Sequence, residues 1–536
     1  MSQSWEKLRV YLTCVPITFE SWLASIVGFV FLRTFFEQFS SFRDDRFAVL
    51  DPATIVHYTI FYLATVITLA LILYAFAKTN LRETFVLSTL GLPIILIPPI
   101  IDLAYAGIGG HIMTYLFVPA QELLTRFLTF WGGHITSGIT LGIQIETFLG
   151  MVFCFTYVYL SRKNVLRAIG AAVTFYIAIF LFASVPSLFA LIGPTGSNTS
   201  NTIAQQVFSS RIIIDNLHPS FGASEIALFD VGFNKIMIGI FTIITILLMQ
   251  LFFFMGAKEK FLVVIKNSRP ERIFHFFLLF LFGTALAYKA EWFTNWIDVM
   301  SYLLTFAALK AAWIFSVCQN DIHDENIDSI SNPDRPLISN GLSKEDLTLV
   351  SKLCLFFAFL CAYSASMYAM FFVLLFTLVY FIYSNPPFRL KRFVIVNSFL
   401  VSLACLTVIM AGFFAVSTDK SILAFPPSLV IAIIIFFTAV TNIRDIKDVE
   451  GDRADGIKTL PVLLGLEKSK MIIAGVMCFF ILYTPWYFDI PILTFPAIIT
   501  SILLWYFTNK EDYIEWKGFA VYMLYLIFII CVMVFK

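Results

Sequence analysis

Two acidic stretches decide the fold class of this chain: Asn320-Asp321-Ile322-His323-Asp324-Glu325-Asn326-Ile327-Asp328 and, further along, Asn442-Ile443-Arg444-Asp445-Ile446-Lys447-Asp448-Val449-Glu450-Gly451-Asp452. Each directly follows an apolar run long enough to span a bilayer. Continued in helical register, each stretch would present its carboxylates on one face of a helix. Carboxylates packed this closely need a cation, and hard oxygen ligands favour Mg²⁺, which shares its coordination with substrate phosphates. The two stretches therefore predict a magnesium site that binds a diphosphate.

The composition indicates an all-α protein that crosses the membrane many times. Of the 536 residues, 59% are hydrophobic and 13% are charged, whereas about a quarter of the residues in a soluble domain are charged. The net charge of +1 and the lack of a strongly basic cluster argue against nucleic-acid binding. The eight cysteines have no CxxC spacing, so neither a zinc site nor a disulfide framework is indicated.

Apolar runs predict six spanning helices in the first half and nine in the second. The basic linker Ala257–Arg272 separates them, so we predict one membrane domain at residues 1–257 and a second at 258–536. Segment 111–131 contains Pro119 and three charged or amide residues, and we predict that it is interfacial or re-entrant. The predicted spans are 18–35, 55–77, 84–104, 145–161, 167–192, 235–256, 273–290, 295–318, 347–365, 368–384, 394–416, 426–443, 471–487, 491–508 and 517–535.

The distribution of lysine and arginine predicts on which side of the membrane the acidic stretches lie. If segment 111–131 does not cross, most basic loops share one side of the membrane with both acidic stretches. The positive-inside rule then places the two stretches at the cytoplasmic face.

Three motifs give the second half of the chain a family resemblance. They are Asn320-Asp321-x-x-Asp324-x-x-x-Asp328 followed by Asn332-Pro333-Asp334-Arg335-Pro336; Tyr383-Ser384-Asn385-Pro386-Pro387-Phe388-Arg389-Leu390-Lys391; and Asp445-x-x-Asp448-x-x-x-Asp452-Arg453 leading into Gly456-x-Lys458-Thr459-Leu460-Pro461. In this order, and each at the same end of a hydrophobic helix, they resemble the UbiA family of intramembrane prenyltransferases over roughly residues 265–536. The resemblance implies a nine-helix transmembrane bundle, here preceded by an additional membrane domain of about six helices.

The same resemblance implies a reaction: Mg²⁺-dependent transfer of a prenyl chain from an isoprenoid diphosphate to a lipophilic acceptor within the membrane. The acceptor is an aromatic ring or a lipid headgroup, and the motifs do not choose between them. A CDP-alcohol phosphotransferase is disfavoured because Asp455-Gly456 is followed by Ile457-Lys458-Thr459 rather than by the pattern of that class. The alternative is a transporter or lipid-binding protein whose acidic motifs bind cations structurally.

Carboxylates that hold Mg²⁺ stabilise the departing pyrophosphate, and basic side chains neutralise its remaining charge. Asp321 is grouped with the substrate contacts because its side chain would point about 100° away from Asn320. The simpler alternative for Arg389 and Lys391 is anchoring at a helix end. The predicted catalytic residues are Asp324, Asp328, Asp448 and Asp452; the predicted metal ligands are these four with Asn320 and Asp445; and the predicted substrate contacts are Asp321, Arg335, Tyr383, Arg389, Lys391, Asn442 and Lys458.

Five ionisable residues of the first half lie at or near membrane depth: Asp102, His111, Glu122, His134 and Glu146. Such groups are candidates for a function, but at an interface they can also be solvated. Both interpretations stay open. We predict that residues 1–257 supply no metal ligand and form an accessory domain that positions an acceptor or a protein partner, whose identity the sequence does not give.

Overall fold

The computed structural model is built from α-helices. It describes residues 3–40, 52–107, 114–132, 138–189, 199–212, 225–287, 293, 295–325, 328–329, 332–443, 446, 449, 453, 458–511 and 513–535. This part of the chain has no β-strand and contains 13 helices long and apolar enough to cross a membrane. The predicted all-α, multi-pass membrane protein is therefore confirmed. Backbone contacts divide the chain into an N-terminal unit, Met1–Lys258, and a C-terminal unit, Glu259–Lys536.

Six of these spans belong to the N-terminal unit, and shorter helices connect them. One of the six, Leu81–Ala106, combines α4, a 3₁₀ turn and α5. In chain order its helices are α1 (Gln3–Cys14), α2 (Phe19–Ser40), α3 (Pro52–Ala77), α4 (Leu81–Leu90), α5 (Ile97–Ala106), α6 (Ala120–Leu128), α7 (Leu141–Arg162), α8 (Val165–Ala183), α9 (Val185–Phe189), α10 (Thr199–Ser209) and α11 (Glu225–Gly256).

Two features of the N-terminal unit refine the predicted spans. The predicted span 84–104 is broken, because α4 ends at Leu90 and a 3₁₀ turn, Leu92–Leu96, leads into α5. Prolines at the starts of the turn and of α5 lack the amide hydrogen that a continuous helix requires. Within the predicted segment 111–131, α6 has nine residues, far fewer than the roughly 20 needed to span a bilayer, which agrees with an interfacial or re-entrant segment.

The C-terminal unit contains nine long helices within its described residues. Seven have the length and hydropathy of membrane spans, while α13 and α18 are shorter, with 17 and 14 residues. With two short helices, α12 and α19, the helices in chain order are α12 (Lys258–Asn267, at the boundary), α13 (Pro270–Leu286), α14 (Trp296–His323), α15 (Lys344–Ala365), α16 (Met367–Ser384), α17 (Val394–Val416), α18 (Pro427–Val440), α19 (Leu460–Leu464), α20 (Leu466–Tyr487), α21 (Thr494–Asn509) and α22 (Glu515–Phe535).

Helices α13 and α17 cross at two glycines. A Cβ atom added to Gly283 would overlap the carbonyl oxygen of Ile409, and one added to Gly412 would overlap that of Phe280. Small residues allow this close approach of two backbones, which is typical of helix packing in membranes. The Thr284 hydroxyl lies 3.0 Å from the Phe280 carbonyl oxygen and 3.3 Å from that of Gly412. The crossing fixes the centre of the bundle that carries the candidate site.

Candidate active site

The first acidic stretch continues the backbone hydrogen bonding of α14. The amides of Asp324 and Asp328 donate to the carbonyls four residues earlier, at 2.9 and 2.8 Å, and the amide of Asn332 donates to Asp328 at 2.8 Å. Both aspartates are buried. The four-residue spacing read from the sequence is therefore present in the backbone at Asn320, Asp324 and Asp328.

Asp324 lies against two basic residues of the second motif. The Arg389 guanidinium donates to one carboxylate oxygen of Asp324 at 2.6 Å, and the Lys391 ammonium forms a close ion pair with the other. Lys391 also donates to the Asn320 side-chain oxygen at 3.1 Å, and the Ser384 hydroxyl donates to the same oxygen at 3.0 Å. The structure thus brings together four of the predicted site residues from two separate motifs.

Backbone conformation at this site is unusual at two arginines. Arg389 has φ 43° and Arg269 has φ 55°, both in the left-handed region. Such a conformation costs about 1–3 kcal/mol in a residue other than glycine and persists only where the surroundings enforce it. Here each arginine is held by a buried aspartate, Arg389 by Asp324 and Arg269 by Asp321.

The pKa of Lys391 is affected by its surroundings. Burial lowers it, and the neighbouring Asp324 carboxylate opposes this effect.

Asp321 belongs to a different group of side chains, consistent with its angular offset from Asn320. Its carboxylate is 1% exposed and accepts hydrogen bonds from Asn267 at 2.7 Å and Arg269 at 3.1 Å. The Arg335 guanidinium lies 3.9 Å away. Burial lowers the pKa of Arg269, and the nearby Arg335 charge lowers it further. Asp321 therefore fixes the turn between α12 and α13 against the end of α14, and its predicted contact with substrate stays a prediction.

Asp328 carries the feature that best suits a cation. One of its carboxylate oxygens accepts a hydrogen bond from the side-chain amide of Asn332 at 3.0 Å. The other is buried, has no hydrogen-bond partner among the described residues and lies 3.9 Å from Arg335. Burial raises the pKa of Asp328. A buried carboxylate oxygen without a partner is costly, and a carboxylate oxygen is the kind of hard ligand that Mg²⁺ prefers.

The second acidic stretch is described only in part. Asn442 is buried, and its amide group donates to the carbonyls of Thr438 and Ala439 at 2.8 and 3.2 Å. Asp445, Asp448 and Asp452 lie outside the described residues, so their place in the site stays a prediction. Within the described ranges no three Asp, Glu, His or Cys side chains are grouped closely enough to hold a metal ion.

Two further predicted substrate contacts are less closely placed. Lys458 is exposed, just before α19. Tyr383 is half-buried near the end of α16, with its ring 6.0 Å from that of Tyr380. Their roles stay predictions.

A cavity of about 680 Å³ lies along the helices that carry the polar site. Trp313 of α14 and Tyr380 of α16 line it; Trp313 precedes Asn320 by two helical turns, roughly 10 Å along the axis. A second, strongly apolar cavity of about 750 Å³ shares Phe437 and Tyr522 with the first. The C-terminal unit thus contains two neighbouring cavities; Arg272, His275 and Glu515 also line the first, and the second is almost wholly apolar.

Several residues of this site escaped the sequence analysis. Asn267 and Arg269 lie in the basic linker, which we interpreted as a domain boundary and a topology signal, yet both bind Asp321. No local pattern pairs them with an aspartate so distant in the chain. Ser384 and Asn385 lie within the second motif, and Asn385 donates to the side-chain oxygen of Gln319 at 3.2 Å. Their position directly before two prolines was the available signal.

Comparisons with known proteins give relatives for the C-terminal unit. The profile of the UbiA prenyltransferase family matches residues 276–528. A digeranylgeranylglyceryl phosphate synthase of Thermococcus sibiricus is 34% identical over 212 residues, which are 39% of this chain and 72% of that protein. A 2-acylphloroglucinol 4-prenyltransferase of Humulus lupulus is 29% identical over 237 residues, which are 42% of this chain and 52% of that protein.

Among solved structures, a UbiA homologue from Archaeoglobus fulgidus bound to DMAPP and Mg²⁺ aligns with a TM-score of 0.41 and 16% identity, over 51% of this chain and 98% of that chain. The sequence relatives and the family profile confirm the predicted enzyme class, a membrane prenyltransferase. This chain belongs to the UbiA prenyltransferase family.

Proposed function

We propose that the C-terminal unit transfers a prenyl chain from an isoprenoid diphosphate to a lipophilic acceptor, with the diphosphate bound at the end of α14. One observation carries the proposal: Arg389 and Lys391 meet Asp324 at a polar site, and a mostly apolar cavity lies about two helical turns away along α14. A prenyl diphosphate has the matching form, with a strongly charged head and a long apolar tail.

The basic residues would bind the diphosphate. Arg389 offers a planar guanidinium suited to two parallel contacts with phosphate oxygens, and Lys391 supplies a compact positive charge. Both are paired with Asp324. An arriving diphosphate would compete with that carboxylate for the same N–H donors and free its oxygens. Asn320, Asp324 and Asp328, with Asp445, Asp448 and Asp452, would hold Mg²⁺, which supplies Lewis-acid neutralisation of the leaving pyrophosphate.

The apolar cavity would receive the prenyl chain. Breaking the allylic C–O bond leaves a carbocation, and the π faces of Trp313 and Tyr380 along the cavity wall can stabilise such a charge. Tyr383, one turn beyond Tyr380, would lie between the cavity and the diphosphate. Phe437 and Tyr522 separate the first cavity from the second, so their size would limit how far the tail extends.

The acceptor is proposed by class only. One relative is named for a glyceryl phosphate and another for an acylphloroglucinol, so a lipid headgroup and an aromatic ring both remain candidates. In either case the acceptor's nucleophile attacks the allylic carbon and then loses a proton. We further propose that residues 1–257 form an accessory domain that positions an acceptor or a protein partner.

Product analysis tests the reaction. The purified protein in lipid nanodiscs is incubated with geranylgeranyl diphosphate and a panel of glycerol-phosphate and phenolic acceptors, with MgCl₂ or with EDTA. We expect Mg²⁺-dependent pyrophosphate release and one prenylated product by mass spectrometry. A protein that only transports or stores lipid would bind the diphosphate and release no pyrophosphate, which would refute the proposal.

Labelling tests the proposed cytoplasmic side of the active site. Asn340 is exposed in the loop after the first acidic stretch, so Asn340→Cys introduces a reactive thiol there. The exposed Cys14 and Cys531 are first replaced by serine. A membrane-impermeant maleimide should label Asn340→Cys in inverted vesicles and leave it unlabelled in intact cells; the opposite result would invert the topology.

A further inference from the structure

The N-terminal unit contains its own cavity. Helices α3, α7 and α8 supply most of its wall, with apolar side chains such as Leu69, Ile143 and Phe175. The family profile begins at residue 276, so the cavity lies wholly outside the matched region.

Arg33 of α2 brings a positive charge to this cavity, but that charge is balanced on its own helix. The guanidinium lies 2.8 Å from the Glu37 carboxylate, and both side chains are almost fully buried. It also lies over the rings of Tyr58 and Tyr62, at 5.0 and 5.7 Å from their centroids. Arg33 is thus held in place at the cavity wall without leaving an excess of positive charge.

Glu146 of α7 lines the same cavity and adds a second carboxyl group. Among the described residues it forms no ion pair and no side-chain hydrogen bond, although ionisable groups at membrane depth are normally paired. The other described acidic candidates of this half have structural partners. Asp102 accepts a hydrogen bond from the Gly142 amide at 2.8 Å, and Glu122 pairs with Arg126 one turn away. His111 and His134 lie outside the described residues.

The polar groups at the cavity indicate which kind of ligand head group would fit there. Arg33 is already paired with Glu37, so a phosphate or carboxylate head would find no free positive charge at a depth where an unpaired charge is expensive. A hydroxyl group can donate to Glu146 and accept from the tyrosine hydroxyls or the guanidinium at the wall. The apolar wall suits a hydrocarbon tail.

We propose that this cavity is a binding site for a lipophilic alcohol or phenol, an uncharged molecule with a hydroxyl head and a long apolar tail. The site is separate from the prenyl-transfer site and does not depend on the chemistry proposed there.

Photolabelling of the full-length protein in nanodiscs tests the proposal. The probe is geranylgeraniol carrying a diazirine, and labelled peptides are identified by mass spectrometry. We expect labelling of peptides from α3 and α7, competed by unlabelled geranylgeraniol and not by geranylgeranyl monophosphate. Equal competition by the monophosphate, or labelling confined to the C-terminal unit, would overturn the proposal.

Variants locate the binding to the cavity. Glu146→Leu removes the acceptor and should lower labelling of α3 and α7 about tenfold, whereas Glu146→Gln keeps an acceptor and should lower it less. Ile143→Trp fills the cavity and should abolish labelling by steric exclusion, which tests the site even if Glu146→Leu does not fold. Glu122→Gln, outside the cavity, is the matched control.

A final variant separates this proposal from the proposed function. Asp324→Asn should retain full labelling of α3 and α7, since it alters only the transfer site. Wild-type labelling in folded Glu146→Leu and Ile143→Trp would show that the alcohol does not occupy the cavity.

Discussion

The two units both bury carboxylates beside basic residues, yet the balance of charge differs between them. Among the described residues of the candidate active site, Arg269, Arg335, Arg389 and Lys391 outnumber Asp321, Asp324 and Asp328 by four to three. At the N-terminal cavity one arginine, Arg33, faces Glu37 and Glu146. The first balance favours an anionic ligand and the second an uncharged hydrogen-bond donor.

The origin of the ion pairs differs as well. In the C-terminal unit Asp324 pairs with residues of the turn after α16, and Asp321 pairs with the turn before α13. At the N-terminal cavity Arg33 and Glu37 are one turn apart on a single helix, although elsewhere in that unit Arg9 of α1 pairs with Glu83 of α4. Pairs between different elements hold those elements in register, so the C-terminal site depends on the packing of its bundle.

We expect the largest loss of activity when the central carboxylate of the proposed diphosphate site, Asp324, is replaced. Asp324→Asn should lower Mg²⁺-dependent pyrophosphate release at least a hundredfold, because it removes a proposed metal ligand and the partner of two cations, an effect on the order of 3 kcal/mol or more. We expect the same of Asp448→Asn. Steady-state pyrophosphate release with geranylgeranyl diphosphate measures the loss.

Asp334→Asn is the control for Asp324→Asn, since Asp334 is exposed in the same loop. Glu146→Gln in the N-terminal unit should change pyrophosphate release less than threefold, because that carboxyl group belongs to the other site. Near-normal turnover by both Asp324→Asn and Asp448→Asn would remove the metal-site assignment, and with it the first half of the comparison.

A smaller loss is expected when the anion-binding side is weakened. Arg389→Gln should lower kcat/KM for the prenyl diphosphate roughly 10- to 100-fold, because charge-assisted hydrogen bonds contribute about 1.5–3 kcal/mol. Arg389→Lys should recover part of this loss, since it keeps the charge and loses the planar geometry. The exposed neighbour Arg392 supplies the control, Arg392→Gln. If both glutamine variants lose the same activity, Arg389 acts only as one of several membrane-anchoring cations.

The glycine crossing tests the dependence of the C-terminal site on its bundle. Gly412→Ala should destabilise that unit by about 1–3 kcal/mol, because the added methyl group forces the backbones of α13 and α17 apart. Gly475→Ala in α20 is the control, since its Cβ atom would meet nothing within 4 Å. Thermal unfolding in detergent should show a lower midpoint for Gly412→Ala only. Equal midpoints would mean that the crossing tolerates the methyl group.

The sequence predicted those features that depend on a local pattern of residues. Spans of about 20 apolar residues and motifs at helix ends predicted the helical membrane fold and the residues that meet at Asp324. Sequence did not predict the pairing of Asp321 with Arg269, because that contact depends on how α12, α13 and α14 pack. Nor did it distinguish Asp102, which caps α7, from Glu146, which faces a cavity. Both are single acids in apolar helices, and only the fold shows their surroundings.

We expect the smallest change in pyrophosphate release when the N-terminal unit is removed, which tests whether the two units act independently. A shortened chain that begins at Glu259 keeps every described residue of the candidate active site, including the Lys260–Asp346 ion pair at 2.7 Å that ties α12 to α15. We expect it to release pyrophosphate in the presence of Mg²⁺ at a rate within about tenfold of the full-length protein, with a higher KM for the acceptor. The matched comparison is the full-length Ile143→Trp variant, in which the N-terminal cavity is filled but the unit remains. If the shortened chain is folded by circular dichroism yet inert, and Glu146→Gln abolishes the same reaction in the full-length protein, then the N-terminal unit is part of the catalytic machinery and the two sites are not independent.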